Sequence, residues 1–342
     1  MKKFWRSFLA LALSVAFLAC EVDSCCNSEA STVASLKIVC WNTQTFFDGV
    51  NCGNEYAEFK KSENWTEESY RTRLKRLCDF VASTDADVYV FEELENEGVL
   101  YDVYNQLTDT SWSSKKLWSF GTFTKEPDSG IGIGIISRLP LEDVKLHSMD
   151  IRTQKEKQPS GRPILEVTVL NGENRLKLFV NHWKSKASGE GEGEIWRQWQ
   201  ENILCTQLLK ASSDSLPQKI LVCGDFNKNI SDFAFCQNSE LNKIHLRGIK
   251  SPSGVSSIQL YSPWLNSNGS FTTEKGSYYY KENWERIDHF FANENIELKG
   301  FRVIDEQPLV TADGVPNAYR VYTGAGYSDH LPLFCEVFFY KK

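Results

Sequence analysis

The stretch Leu221–Asn227, which reads Leu-Val-Cys-Gly-Asp-Phe-Asn, constrains this chain more than any other. Its apolar run predicts a short buried strand, Gly224 permits a sharp exit, and a carboxylate and a carboxamide follow with one aromatic between them. Residues two apart at a strand end point the same way. Asp225 and Asn227 are therefore expected to share one face, with Phe226 turned into the core. On turn statistics alone, Asp and Asn after a Gly mark an ordinary turn, so the weight of this stretch comes from its company.

That company is a series of strand-like runs that end in polar groups. Leu36 to Trp41 leads to Asn42, and Asp87 to Leu94 carries Glu92 and Glu93 near its end. Ile131 to Ser137, Pro163 to Leu170 and Leu176 to Val180 are further strands, the last two joined by a turn at Asn171-Gly172. The last of these leads to His182. Trp284 to Ala292 contains Asp288, and Leu331 to Tyr340 follows Asp329-His330. Helical spacing marks Trp65 to Ser83, with Thr66, Glu67 and Glu68 as a start signal, and also Val99 to Leu107 and Ile195 to Lys210. Gly189 to Glu194 is expected to be a mobile loop, and Ile230 to Gly269 to hold only loops and short elements. Strands and helices alternate with no repeat and no composition break after Ser35. One large α/β domain, 36–342, follows.

The start of the chain points to export. Lys2, Lys3 and Arg6 precede about a dozen apolar residues, too few for a membrane span of roughly 20. Phe17-Leu18-Ala19-Cys20 resembles a bacterial lipobox, so 1–19 is expected to be a lipoprotein signal peptide and Cys20 the acylated residue. Residues 20–35 would be the tether, and the cell envelope or cell surface the location. Of 10 Cys, Cys40, Cys223 and Cys335 fall in apolar strand-like runs, where a thiol acts as a small buried hydrophobe. No Cys-x-x-Cys pair points to structural zinc.

The polar set defines a chemistry. Oxygen donors with few His and no Cys suit a hard ion such as Mg²⁺ or Mn²⁺. A His beside an Asp, as at Asp329-His330, can move protons near neutral pH. The chain has no Gly-x-Ser-x-Gly elbow and no Gly-x-x-x-x-Gly-Lys loop. Metal-assisted attack of water on a phosphorus ester remains. A net charge of −7 excludes a molecule basic overall, as a nucleic-acid coat would be, but not a phosphate substrate met at a metal.

In chain order, Val-Cys-Trp-Asn, Phe-Glu-Glu-Leu-Glu-Asn, Ile-Ser-Arg-Leu-Pro, Asn-His-Trp-Lys-Ser-Lys, Gly-Asp-Phe-Asn, Arg-Ile-Asp-His and Ser-Asp-His-Leu-Pro resemble the endonuclease/exonuclease/phosphatase superfamily. The resemblance implies a four-layered α/β sandwich, two packed mixed sheets flanked by helices, with the site at one end. It implies that Asn42, Glu93 and Asp329 serve the metal, with Glu92 standing where the family has Gln. It implies that His182 stabilises charge on the scissile phosphate, and that Asp225 and Asn227 orient water and phosphate. His330 would act as acid or base with Asp288 as its orienting partner, and Arg162 would touch phosphate. Whether Asp225 or His330 takes the proton from water stays open.

The leading expectation is a monomeric, lipid-anchored extracellular nuclease acting on DNA or RNA. A phospholipid or inositol phosphate phosphatase, or a sphingomyelinase, is the second enzyme reading, and a surface adhesin retaining the fold is the third. Lys184 and Lys186 are expected on a solvated face. Trp183, Trp196, Trp199 and Trp284 are either core or base-stacking platforms.

Overall fold

The computed structural model describes residues 34–340, apart from 110–116, 128, 150–160, 187–189, 215, 235–240 and 250–255. The expected signal peptide, the acylated Cys20 and nearly all of the tether lie outside the described residues.

The chain opens with β1 (Ser35–Phe46), α1 (Ala57–Lys61), α2 (Glu67–Thr84), β2 (Val88–Leu94) and α3 (Glu97–Asp109). Next come β3 (Phe120–Thr124), β4 (Gly132–Ser137), β5 (Leu141–His147), β6 (Ile164–Asn171), β7 (Asn174–His182), α4 (Glu190–Ser212) and β8 (Lys219–Asp225). The last third holds β9 (Lys243–Leu246), β10 (Ser257–Leu260), β11 (Tyr278–Tyr280), β12 (Asn283–Glu285), β13 (Asp288–Ala292), β14 (Ile296–Val303) and β15 (Leu333–Phe339).

Two large mixed sheets form the body, as expected for the sandwich. One has the order β14-β15-β1-β2-β4-β3, the other β13-β8-β7-β6-β5. Each is antiparallel except for one parallel pair, β1 with β2 and β7 with β8. Strands β1, β2 and β8 are apolar on both sides and lie back to back, so Val39, Val90 and Val222 are fully buried. Cys40, Cys223 and Cys335 are free, buried thiols of this interior. Helix α2 starts where its cap predicts. Thr66 Oγ1 accepts from the Ser69 amide at 3.2 Å, and Tyr70, Leu74, Leu77, Phe80 and Val81 are buried. Helix α4 packs on the β9–β10 ribbon.

Three expectations change. Gly191 to Glu194 lie in the first turns of α4, not in a loop, because the helix has begun at Glu190. The β6–β7 hairpin closes one residue later than Asn171-Gly172. Asn171 pairs with Asn174, and Gly172 at φ 61 is the first of two central residues, the position at which a type II′ turn requires Gly. The expected single strand Trp284–Ala292 is two strands in two sheets. Between them Ile287 O accepts from the Phe226 amide at 2.9 Å and Arg286 O from the Ile230 amide at 3.1 Å, which bends the chain onto the end of β8. Strands β3, β5 and β14 lack the uninterrupted apolar run that marks the inner strands, and all three lie toward sheet edges.

Candidate active site at the sheet rim

Pairing in the second sheet sets a row of polar residues side by side. His182 on β7 pairs with Asp225 on β8, and Asp225 pairs with Asp288 on β13. Gly224 makes the close pairing possible. At φ 132 it accepts a conformation other residues resist, and a Cβ there would sit 1.8 Å from Asn181 O. The first sheet contributes Asn42 from the second half of β1 and Glu93 from the end of β2.

Asn42 bridges the two sheets. Its Nδ2 donates to Asp225 Oδ2 at 3.0 Å and to Glu93 Oε1 at 3.3 Å. Asp225 also accepts from Asn227, from the backbone amide at 2.8 Å and from Nδ2 at 2.9 Å. Asn227 reaches this side differently from the sequence expectation. Strand β8 ends at Asp225, and residue 227 is left-handed (φ 48). Phe226 is buried as expected. Gln44, Thr45 and Glu93 are left-handed too, so half of the eight non-glycine residues with positive φ among the described residues gather at this rim. Such strain persists where surrounding contacts hold it and concentrates at functional sites. Arg73 holds it here. Its guanidinium donates to the carbonyls of Thr43, Gln44 and Thr45 and lies over the Tyr319 ring, 3.6 Å from its centroid.

His330 Nδ1 bonds Asp288 Oδ2 at 2.9 Å, and Asp288 also accepts from the Ser277 hydroxyl. Ligating atoms of Asp225, Asp288 and His330 lie within 4.8 Å of one another. The backbone at 328–330 is tied to β1. The Ser328 hydroxyl donates to Asn42 O, the Asp329 amide donates to Gln44 Oε1, and His330 O accepts from Trp41 Nε1. His182 Nε2 faces Glu93 Oε1 at 3.5 Å and Asp225 Oδ2 at 3.7 Å. Arg162 Nη1 donates to Trp183 O at 3.2 Å, the carbonyl that also accepts from Asn227 Nδ2. All the predicted domain residues, Asn42, Glu93, Arg162, His182, Asp225, Asn227, Asp288, Asp329 and His330, thus meet at one rim.

Burial sets their protonation. It pushes the Asp225 carboxyl up to about 7; His330 opposes the rise and Asp288 adds to it. Asp329 rises for the same first reason. Burial works against a charged His330, but the Asp288 carboxylate and its hydrogen bond, with Asp225 and Asp329, hold the imidazole well above its ordinary value. His182 falls well below its ordinary value, through burial and then the Arg162 and His330 charges. Its Nδ1 is buried without a partner, so the neutral ring carries its proton on Nε2, toward the carboxylates.

The donor set fits a hard divalent cation. Glu93 and Asp225 converge on Asn42, with Asp329 close to Glu93, and the nearest ring, His182, is neutral. Asp225 and Asp329 are held above their ordinary range, a strain that a cation relieves. The Asp225–Asp288–His330 group is better described as a hydrogen-bonded dyad beside that cluster, because Asp288 is spent on His330 and Ser277. A second acidic group, Cys52, Glu55 and Glu95, is closed by backbone donors. Glu55 takes the amides of Cys52 and Gly53, and Glu95 takes that of Asp48.

Sequence reasoning missed Arg73, Gln44, Ser277, Ser328 and Tyr278, whose ring centroid lies 4.7 Å from that of His330. Only Arg73 left a signal, a cation on the apolar face of α2 beside Leu74. Trp183 is core, packed on Phe226 at 4.6 Å. Lys184 and Lys186 are half-buried, and Lys186 pairs with Glu285 at 2.9 Å.

Comparison with known proteins agrees with this architecture. No curated protein matches the chain. Similar solved structures include D. rerio TDP2 complexed with a single-strand DNA product, at 16% identity and a TM-score of 0.53 over 89% of this chain and 99% of that one. ANGEL2, a 2′,3′-cyclic phosphatase, superposes with a TM-score of 0.58 at 12% identity over 91% and 97%. A Bacteroides thetaiotaomicron endonuclease/exonuclease/phosphatase family protein does so at 0.52 and 13% over 91% and 100%. The family model described as Endonuclease/Exonuclease/phosphatase family matches residues 37–338, most of the chain, and the chain belongs to that family.

Proposed function

We propose that the protein is a divalent-metal-dependent phosphodiesterase that cleaves DNA or RNA, exported as a monomer and held at the bacterial cell envelope through an acylated Cys20. The observation that carries the catalytic part is a buried carboxyl and a buried imidazole side by side, both pushed above their ordinary values. Asp225 is raised to about 7 and His330 is held protonated by Asp288. Groups pushed in this way divide acid and base work between them.

On this reading Asp225, one of the two candidate bases named above, removes the proton from the attacking water. Asn227 and Asn42 fix the Asp225 carboxylate by their hydrogen bonds, so the receiving oxygen is already aimed. His330, a cation with Nδ1 held on Asp288 and Ser277 behind it, offsets charge as the water oxygen bonds phosphorus and gives its Nε2 proton to the leaving oxygen as that P–O bond breaks. His182 donates from Nε2 to a non-bridging oxygen, and Arg162, anchored on Trp183 O, adds a fixed positive charge. Asn42, Glu93 and Asp329 would hold Mg²⁺ or Mn²⁺, which when bound supplies Lewis-acid stabilisation of the phosphoryl oxygens. Support for nucleic acid comes from the TDP2 complex with a DNA product, and support for phosphoric ester chemistry from ANGEL2.

The test incubates the protein with plasmid DNA, RNA and phosphoinositides, with Mg²⁺ or Mn²⁺ and with chelator. Metal-dependent cleavage of either nucleic acid is expected. If both stay intact while phosphoinositides lose phosphate, the substrate assignment is wrong; if nothing turns over, the catalytic assignment is wrong.

A further inference from the structure

A small aromatic hairpin stands directly beside His330 and belongs to neither large sheet. Strands β11 and β12 pair only with each other, and the hairpin is tied to the site by the Tyr278–His330 backbone bridge and by the Leu331 amide donating to Ser277 O. Tyr278 and Tyr280, two apart on β11, share a face. Their rings are nearly parallel, 19° apart with centroids at 6.3 Å, and Tyr278 in turn lies 4.7 Å from the His330 ring. A line of flat rings therefore runs from His330 outward to Tyr280, which is 52% exposed. Lys281 Nζ lies over the Tyr280 ring, 5.1 Å from its centroid, on a long side chain that a stacking base displaces. The opposite face is packed, with Tyr279 against Trp284 at 5.2 Å.

The turn is unusual. Lys281 and Glu282 are both left-handed (φ 48 and 64), the type I′ geometry that normally selects Asn-Gly. Strain is thus tolerated to keep a tight hairpin with long charged side chains at its tip. That tip decides between two partners for an exposed aromatic. Insertion into lipid would bury Lys281, Glu282 and Asn283, an expensive transfer. Stacking of a nucleobase leaves them in water, with Lys281 placed to meet a phosphate.

We propose that the Tyr278–Tyr280 face is a base platform. An unpaired nucleobase next to the scissile phosphate stacks on Tyr280, backed by Tyr278, so single strands and frayed ends are preferred to continuous duplex. Inside a duplex both faces of a base are covered by its neighbours, so the platform can act only on a base already free or flipped out. The proposal rests on the nuclease reading above and narrows its substrate.

The experiment uses the full chain carrying Asp225→Asn with Mg²⁺, so that a strand is held without being cut. Short single strands of DNA and RNA with a fluorescent 2-aminopurine at successive positions are titrated against the same sequences as duplex. We expect quenching at one position and single-strand affinity at least about ten-fold above duplex. Adding Tyr280→Ala should abolish that quench and weaken binding about ten-fold, and Tyr280→Trp should restore both. An abasic residue at the quenched position should cost as much as Tyr280→Ala. Equal affinity for abasic and intact strands, or for duplex and single strand, overturns the platform while leaving nuclease activity of the unsubstituted protein intact. Absence of any cleavage by that protein overturns the nuclease reading instead. Binding to phosphatidylglycerol vesicles that Tyr280→Ala removes, with oligonucleotide binding unchanged, would make the hairpin a membrane contact and refute the proposal.

Discussion

Asp225 and Glu201 are both buried carboxylates, the first 2% exposed at the end of β8 and the second fully buried on α4, and the chain treats them in opposite ways. Glu201 is compensated. Lys228 lies 2.6 Å away, Lys243 lies 3.4 Å away, and the Ile244 amide donates at 3.1 Å. Asp225 has amide donors, but burial first, with the like charges of Asp288 and Glu93 adding to it against His330, holds its carboxyl near 7. Lys228 follows Asn227 directly, so the two environments are separated by one residue's turn. The contrast separates a carboxylate that holds structure together from one kept uncomfortable for use. Burial with cations ties α4 to the β8 exit and to β9, whereas burial among acids leaves a group able to exchange a proton or accept a metal.

The comparison can be broken most directly at Asp225. Asp225→Ala should cut metal-dependent hydrolysis about a thousand-fold, while its melting temperature in chelator holds or rises because a raised buried acid is removed. A clear loss of thermal stability would place Asp225 with Glu201 as a structural group. Glu201→Ala should do the reverse. It strands two buried lysines and should cost about 3–5 kcal/mol, a fall in melting temperature of roughly 10 °C, with kcat retained in the folded fraction. His330→Gln should lower the rate about a hundred-fold and change the shape of the pH profile. In the unsubstituted protein, activity should rise as Asp225 ionises, at a pH below the metal-free value of about 7 because the bound cation favours the carboxylate. It should fall at alkaline pH as His330, held above its ordinary value, loses its proton. The variant should keep the acid limb and lose the alkaline one.

The smallest effect is on stability. Asp225 binds its proton more tightly folded than unfolded, so the stability this supplies is present at acid pH and lost between the ordinary 3.8 and about 7. His330 acts in the same direction, fully stabilising below its ordinary 6.5 and losing this as pH rises through its raised folded value. His182 and His289, both lowered by burial, oppose the trend only below 6.5. From pH 6.5 to 8 in chelator, calorimetry should therefore show a loss of about 1 kcal/mol from Asp225, with His330 adding to it. Mg²⁺ should raise the melting temperature more at pH 8 than at pH 6.5, because an ionised Asp225 adds negative charge beside the metal site and a protonated one does not. Equal shifts at both pH values would mean that Asp225 lies outside the metal's reach.

Much of this site is legible in the sequence alone. The inner strands of the sandwich were visible because their two buried faces leave continuous apolar runs, as in Leu221–Cys223 and Val88–Phe91. Helix α2 was visible because a cap and an apolar face recur at fixed spacing. The edge strands β5 and β14 were not, since an edge strand exposes most of its residues and lacks such a run. The break at Arg286-Ile287 was not either, because it answers to hydrogen bonds with a segment nearly sixty residues earlier in the chain.

By itself the sequence determined the inventory, namely which runs are apolar enough to be inner strands and which acids, amides and imidazoles stand at their ends. Residue type and local periodicity carry that information. Only the tertiary structure decided that Asp225 sits among acids while Glu201 sits between lysines, that Asn42 bridges two sheets, and that Tyr278 backs His330. Those outcomes depend on burial and on partners brought in by sheet register, and no local stretch of chain encodes either.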